Sequence, residues 1–91
     1  MTSFVNMSAK PLTSAQIRAA RALIRWSALQ LANKSEVGVT TIRRAELTAS
    51  ATKLTRVNDQ AIRRVLELAG VEFVDENGGG PGVRLRDVQQ S

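Results

Sequence analysis

An arginine-rich segment near the middle of the chain carries the side chains best suited to a specific chemistry. In the stretch VGVTTIRRAE, residues 37–46, the small residues from Gly38 to Thr41 are followed by Arg43 and Arg44. An arginine can donate two parallel hydrogen bonds to the O6 and N7 atoms of guanine, and a threonine offers a hydroxyl to a base or phosphate and a methyl group to thymine. These residue types therefore indicate recognition of double-stranded DNA.

The spacing indicates which of these side chains project together. If the segment is helical and Ile42 points into the core, a rotation of about 100° per residue places Thr40 and Arg44 on the opposite face. Thr41 and Arg43 flank that face, and Val39 lies partly inward. The alternative is an ordinary amphipathic helix whose two arginines are there by chance.

Helix-capping signals predict the elements that position this segment. A capping residue, flanked by apolar residues one position before it and four positions after it, occurs four times, and twice a Gln stands at the third position after it. The predicted caps are Thr13 with Gln16, Ser27 with Gln30, Gly38, and Asn58. We predict helices over residues 14–25, 28–34, 39–46 and 59–69. Only residues 35–37 separate the second and third helices, which must therefore cross steeply in the outline of a helix-turn-helix.

The apolar period changes from 3.6 to 2 after Gly70, which predicts a β-hairpin. Apolar residues alternate with polar ones on both sides of a loop at residues 75–82, so the apolar face should lie on the helices. Glu72 could pair with Arg84 or Arg86 on the outer face. The GGGPG sequence is interpreted as a plain flexible loop, because no Lys-Ser or Lys-Thr follows it. The alternating apolar residues are Val71, Phe73, Val83 and Leu85.

Composition excludes several classes of protein. The 91 residues include no Cys, His or Tyr, so we expect no disulfides, and metal ligation or acid–base catalysis would rest on scattered carboxylates. No apolar run approaches the roughly 20 residues of a membrane span. We expect a cytoplasmic, nucleoid-associated protein with no enzymatic activity, no cofactor and no metal.

Charge is distributed unevenly along the chain. Residues 1–58 hold nine Lys or Arg against two acidic residues, a net charge of +7, whereas residues 59–91 hold four against six, a net charge of −2. The basic part contains the helix-turn-helix outline, which indicates a polyphosphate partner there. An ordinary solvated helix face remains an equal alternative for Arg18, Arg21 and Arg25.

Four segments together resemble the XRE family of Cro-like phage and bacterial repressors, and most closely its short bacterial helix-turn-helix regulators. They are LTSAQIRAARALIRWS (12–27), VTTIRRAE (39–46), AIRR (61–64) and GVEFVDENGGGPGVRLR (70–86), and the resemblance extends over residues 12–86. It implies a mainly α, lambda-repressor-like bundle of about four helices with a C-terminal β-hairpin. The expected organisation is a flexible arm (1–11), a DNA-binding domain (12–69), its hairpin (70–87) and a tail (88–91).

The resemblance also implies roles for particular residues. In such proteins the third helix lies in the major groove, and the start of the second helix meets a phosphate. Lys53 and Arg56 lie in the polar connection after the recognition helix and could reach the DNA backbone. The expected base-reading residues are Gly38, Val39, Thr40, Thr41, Arg43 and Arg44, and the expected phosphate contacts are Ser27, Gln30, Lys34, Lys53 and Arg56.

Two positions depart from the family pattern. The family commonly has Gln at the position of Ala28, where it ties phosphate to the recognition helix, and Gly at the position of Glu36, where the turn needs a left-handed backbone. The fold should survive at a cost of about 1 kcal/mol, with lower affinity for DNA. The alternatives are therefore a protein-binding module on the same scaffold, of antiactivator or antitoxin-like type, and an architectural DNA binder without sequence preference.

The predicted function is a sequence-specific DNA-binding transcriptional regulator, acting as a repressor and binding a two-fold related operator as a homodimer. Its partners would be the operator duplex and a second copy of the chain, and a regulatory protein is a further candidate partner. Helix four and the hairpin are predicted to supply the dimer surface, with contacts from Leu66, Leu68, Val74 and Val88.

Overall fold

The computed structural model describes residues 10–49, 51–75 and 78–86. It confirms a small, mainly helical domain with four helices and a two-stranded antiparallel hairpin. The predicted tail and most of the predicted arm lie outside the described residues. No helix in the described parts of the chain is both long enough and apolar enough to cross a lipid bilayer. The elements are α1 (Ser14–Ile24), α2 (Ala28–Ser35), α3 (Val39–Leu47), α4 (Arg56–Leu68), β1 (Val71–Val74) and β2 (Gly82–Leu85).

The two predicted capping boxes are confirmed at the starts of α1 and α2. The Thr13 hydroxyl accepts a hydrogen bond from the Gln16 amide at 3.1 Å, and the Gln16 side-chain oxygen accepts one from the Thr13 amide at 3.0 Å. Ser27 and Gln30 repeat this exchange at 3.0 and 2.8 Å. Each pair satisfies two of the amides that a helix start leaves without partners.

The predicted start of α4 is wrong. The helix begins at Arg56 instead of residue 59, and its cap is Thr55, whose hydroxyl accepts a hydrogen bond from the amide of Asn58 at 3.1 Å. With the earlier start, Asp59 lies at the end of the first turn, and its carboxylate accepts a hydrogen bond from the Leu12 amide at 2.9 Å. Asp59 therefore contacts Leu12, a residue 47 positions earlier in the sequence. Asn58 is an ordinary first-turn residue and not the cap.

The turn between α2 and α3 has the left-handed backbone expected for it. Glu36 ends α2 with φ 62° and ψ 24°, and its amide donates to the carbonyl of Ala32. Its side chain is exposed, and Val37 and Gly38 lead directly into α3. The chain therefore turns within three residues, as predicted.

The core is formed by apolar side chains from all four helices and β1. The α2 helix contacts both α3 and α4, while α1 contacts α3 and the hairpin. Trp26 and Phe73 are half-buried against this core. The largest completely buried apolar side chains are Leu12, Ile17, Leu31, Ile42, Ile62, Leu66 and Val71.

Burial corrects one predicted dimer contact. Leu66 is completely buried in the core and cannot touch a second copy of the chain. Leu68 is 76% exposed, because it lies on the opposite side of α4. Val74 is half-buried, and Val88 lies outside the described residues.

The hairpin has the predicted strands and outer pairing, with one difference at its end. Glu72 is opposite Arg84, and the two side chains form two hydrogen bonds of 3.1 Å. Arg86 instead donates to the carbonyl of Glu67 at 2.8 Å. Leu85, opposite Val71, was expected against the helices but is 50% exposed, because it lies at the open end of the sheet.

Gln16 has a second role that connects α1 to this hairpin. Its side-chain nitrogen donates to the carbonyl of Gly82 at 3.0 Å and approaches that of Val74 at 3.4 Å. The same buried amide group therefore closes the capping box with its oxygen and holds the hairpin with its nitrogen.

Candidate nucleic-acid interface

The α3 helix presents one face to the core and the opposite face to solvent. Ile42, Ala45 and Glu46 are buried. Val39 and Thr41 are half-buried at the sides, and Gly38, the helix cap, is exposed. We call the exposed residues of α3 its outer face. With a rotation of about 100° per residue, they share one arc of the helix on the side opposite the core. The outer face consists of Thr40, Arg43, Arg44 and Leu47.

Leu47 is the member of this face that the sequence interpretation missed. The helix was predicted to end at Glu46, whereas it continues through Leu47, whose side chain is 84% exposed. The signal was available, because continuing the same rotation by one residue places Leu47 between Arg43 and Arg44.

A buried ion pair fixes the orientation of α3 against α1. The Glu46 carboxylate accepts two hydrogen bonds from Arg21, each 2.7 Å long, and Arg21 also donates to the carbonyl of Trp26 at 2.9 Å. The hydrogen bond to Glu46 raises the pKa of Arg21 above its ordinary value, although burial opposes this. Arg21, whose side chain is 22% exposed, is therefore engaged in contacts within the protein.

The carboxyl end of α3 is held by three further side-chain hydrogen bonds. Arg18 donates to the carbonyl of Glu46 at 2.6 Å, and Ser14 donates to that of Thr48 at 2.8 Å. The Thr48 hydroxyl donates to the carbonyl of Ala45 at 3.1 Å. These bonds satisfy carbonyls that a helix end leaves free.

The solvated-face interpretation is therefore wrong for Arg21, which is half-buried, whereas Arg18 and Arg25 are exposed. Arg18 and Arg21 make defined contacts with the end of α3. Arg25 is exposed and ends α1 in a left-handed conformation, with φ 60°. Of these three cations, Arg25 is the one that the described contacts leave free.

The start of α2 presents several hydrogen-bond donors. The Ser27–Gln30 capping box uses the two side-chain oxygens as acceptors, so the hydroxyl proton of Ser27 and the amide nitrogen of Gln30 stay available. The backbone amides of Ala28 and Leu29 have no acceptor within the described residues. This end of the helix also carries the positive end of the helix dipole, which favours an anion.

The other predicted phosphate-binding cations are exposed. The ammonium group of Lys34 lies 5.6 Å from the centre of the Trp26 ring. This cation–π contact attracts the ammonium group but leaves its charge in place. Lys53 is held at φ 62° in the connection between α3 and α4. Arg56 is the first residue of α4, where the helix dipole disfavours a cation, so its position gives the helix no electrostatic benefit.

The anchoring of the α3–α4 connection limits how far Lys53 can move. Ala51 forms an isolated antiparallel bridge with Thr13, and Thr52 is buried beside it. The Thr52 hydroxyl accepts a hydrogen bond from the Leu54 amide at 3.2 Å. Lys53 therefore projects from an ordered backbone.

The described residues hold no group of three or more carboxylate-bearing or other ligating side chains arranged to bind a metal ion. On α4, outside the outer face of α3, Arg63 and Glu67 form an ion pair with their side-chain nitrogen and oxygen 3.9 Å apart. Arg63 lies 5.3 Å from the centre of the Phe73 ring and donates to the carbonyl of Lys10 at 2.9 Å. Burial raises the pKa of Glu67, against the opposing influence of Arg63 and Arg86.

No protein-family model matches the chain, and no curated protein matches it with significant similarity. The geometry itself defines a small four-helix domain with a terminal hairpin, in which an exposed basic helix is locked to its neighbour by a buried ion pair.

Proposed function

We propose that the chain is a sequence-specific double-stranded DNA-binding transcriptional regulator that acts as a repressor. In this proposal the fold is of the lambda-repressor-like type, α2 and α3 form its helix-turn-helix, and α3 lies in the major groove. The observation that carries the proposal is the outer face of α3, where Thr40, Arg43 and Arg44 are exposed together. The same helix is fixed on its inner face by Ile42 and Glu46.

A fixed helix with a free outer face suits base recognition. The major groove is about 12 Å wide and accepts one α-helix. Because the contacts of Arg18 and Arg21 already hold α3, binding would not cost further conformational entropy for ordering the helix. Arg44 would donate to guanine, Thr40 would contact a neighbouring base, and Arg43 would bind a base or a phosphate.

Phosphate contacts would orient α3 in the groove without reading sequence. The donors at the start of α2 would hold one phosphate, and Lys53 and Arg56 would bind the backbone beyond the recognition helix. Each phosphate neutralised should contribute about 0.9 to the slope of log K against log salt concentration. The proposed set is Ser27, Gln30, Lys34, Lys53 and Arg56, all of them exposed.

We further propose that the regulator is a homodimer. One recognition helix reads too few base pairs to select a site, whereas two helices about 34 Å apart read two half-sites one turn apart. The outer side of α4 offers a surface, because Val57 and Leu68 are 75% and 76% exposed and share a face with Ala61. In an antiparallel pair of α4 helices, Val57 would meet the partner subunit's Leu68.

Selection of bound fragments from random duplex DNA tests the function directly. We expect one enriched sequence with two-fold symmetry, whose half-sites lie about 10 base pairs apart and contain guanine. Nuclease protection of that sequence should extend over both half-sites. Enrichment of no sequence would contradict the proposal.

A protein-binding module on this scaffold is the second candidate. Its support is the exposed carboxylate of Glu36 in the turn before α3, together with Ala28, whose side chain has no polar group to bind phosphate. A mobility shift with random duplex at low and moderate salt separates the two functions. A protein-binding module would form no complex that competitor phosphate removes, and an architectural DNA binder would bind but select no sequence.

A further inference from the structure

Leu47 has the highest exposed fraction among the large apolar side chains in the described residues. It is 84% exposed, compared with 76% for Leu68 and 75% for Val57 on α4. Burying a leucine side chain contributes about 1.5–3 kcal/mol, and at this position the fold receives almost none of it. The side chain therefore offers apolar surface to whatever approaches α3.

Its position places this surface at the middle of the outer face. Taking Ile42 as pointing inward, Leu47 is rotated by about 140°, between Arg43 at about 100° and Arg44 at about 200°. It shares its direction with Thr40, which lies seven residues earlier, or about 10.5 Å along the helix axis. A ligand that contacts both Thr40 and Arg44 would also contact Leu47 if it follows the helix to its end.

The backbone on either side of Leu47 is held in place. The carboxylate and the carbonyl of Glu46 are bonded to Arg21 and Arg18, and the carbonyl of Thr48 is bonded to Ser14. Leu47 therefore projects in a fixed direction and belongs to an ordered surface.

We infer that Leu47 is a specificity-determining residue that contacts the C5-methyl group of a thymine in the major groove. This inference rests on the proposed function. The thymine methyl is the apolar group that the four bases offer in that groove, where the other base edges present donors and acceptors. The thymine would lie in the same half-site as the base contacted by Thr40, displaced along the groove toward the carboxyl end of α3.

Replacing thymine with deoxyuridine tests this contact, because only the methyl group is lost and base pairing is kept. With the enriched site, wild-type protein should bind about fourfold more weakly when the relevant thymine of one half-site is replaced, as expected for one buried methyl group. A cytosine at the same position should also weaken binding, and 5-methylcytosine should recover part of the loss.

The matched variants identify Leu47 as the group that senses the methyl. Leu47→Ala should bind the thymine and deoxyuridine sites equally, while keeping its preference for the guanine read by Arg44. Leu47→Met, which keeps an apolar side chain of similar size, should restore the difference. Leu23→Ala on α1 is the control and should discriminate as the wild type does.

Each other outcome overturns the inference. If Leu47→Ala still loses fourfold on the deoxyuridine site, another residue contacts the methyl. If it weakens binding to every duplex equally, Leu47 contacts the backbone. In both cases a guanine preference that disappears in Arg44→Ala leaves the proposed function intact. If no sequence is enriched at all, both proposals fail, and a protein partner for the outer face becomes the better explanation.

Discussion

At the scale of single residues, the molecule uses left-handed backbone at three non-glycine positions. Among the described residues, Arg25, Glu36 and Lys53 have φ values of 60°, 62° and 62°. A side chain with a Cβ atom is strained in this conformation by about 1 kcal/mol. Glu36 combines that strain with a negative charge at the entrance to α3.

We predict that Glu36→Gly raises the free energy of unfolding by up to about 1 kcal/mol, because glycine adopts this backbone without a Cβ clash. In a domain of this size, that should raise Tm by about 4–8 °C per kcal/mol in a thermal melt. Glu36→Ala is the control, since it removes the charge but keeps the Cβ atom. Equal stabilisation by both variants would show that the charge, and not the backbone, destabilises the turn.

The partly desolvated carboxyl of Asp59 leads us to predict that the stability of the fold depends on pH. Burial raises the pKa of its carboxyl above the ordinary value of 3.8, although the Leu12 amide and Arg63 act in the opposite direction. The folded state therefore binds the proton more tightly than the unfolded state does. The stabilising contribution of the protonated form is present at pH values below about 3.8 and is lost as pH rises through the folded pKa.

Asp59→Asn should therefore become more stable relative to wild type as pH is raised from about 3 to 7. The asparagine oxygen can still accept from the Leu12 amide, while the desolvation of a charge is avoided. Chemical denaturation of both proteins across this range measures the difference. A difference that falls with pH would contradict this account of Asp59.

At the scale of elements, the central feature is the attachment of α3 to α1. The Arg21–Glu46 pair combines charge with two short hydrogen bonds, and the side chains are 22% and 9% exposed. Removing one partner of such a pair leaves the other partly buried and unsatisfied. A helix of nine residues is only marginally stable by itself, so α3 depends on this contact for its orientation.

We predict that Glu46→Ala lowers the free energy of unfolding by about 2 kcal/mol, a value reduced from that of a fully buried pair because Arg21 is partly exposed. Equilibrium denaturation with urea measures the change. Glu72→Ala, which breaks the exposed pair with Arg84 on the hairpin, is the control and should change stability much less. Similar losses in the two variants would refute the role assigned to Glu46.

Local signals predicted the elements well, whereas contacts distant in sequence decided what the sequence alone missed. The capping boxes at Thr13 and Ser27 depend on residues three positions apart, and both were predicted correctly. The start of α4 was predicted at Asn58, whereas the structure caps it at Thr55, where Asp59 also contacts Leu12. The pairing of Arg21 with Glu46 joins residues 25 positions apart, so no local pattern indicated it.

For the candidate site, periodicity predicted which side chains are exposed better than it predicted where the helix ends. The rotation of about 100° per residue predicted that Thr40 and Arg44 share an exposed face. The prediction missed Leu47 because the predicted helix ended at residue 46, one residue before the observed end of α3. Leu66 was missed for a different reason, because hydrophobicity marked it as a dimer contact without showing which side of α4 faces the core.

At the scale of the whole molecule, the positive charge is concentrated in the part that contains α2 and α3. The net charge of +7 over residues 1–58 includes Arg21 and Glu46, which neutralise each other, so the imbalance belongs to the remaining side chains. A surface of this kind attracts phosphate over distances of about one Debye length and weakens in salt. Binding should therefore be fast and strongly dependent on salt.

Lys53→Ala should weaken binding to all duplex sequences alike, because a phosphate contact carries no base information. The slope of log K against log salt concentration should become shallower by about 0.9. Titrations at several salt concentrations measure this slope, with Arg84→Ala on the hairpin as the control. An unchanged slope in Lys53→Ala would remove Lys53 from the phosphate contacts.

The dissociation constants of wild-type and Arg44→Ala protein, measured for the enriched site and for versions with single base-pair changes, test whether the outer face of α3 reads DNA. We predict that Arg44→Ala costs about 1–3 kcal/mol on the enriched site and loses discrimination at one guanine of each half-site. Lys53→Ala should keep that discrimination. Unchanged affinity and base preference in Arg44→Ala would contradict the claim that the outer face of α3 reads DNA.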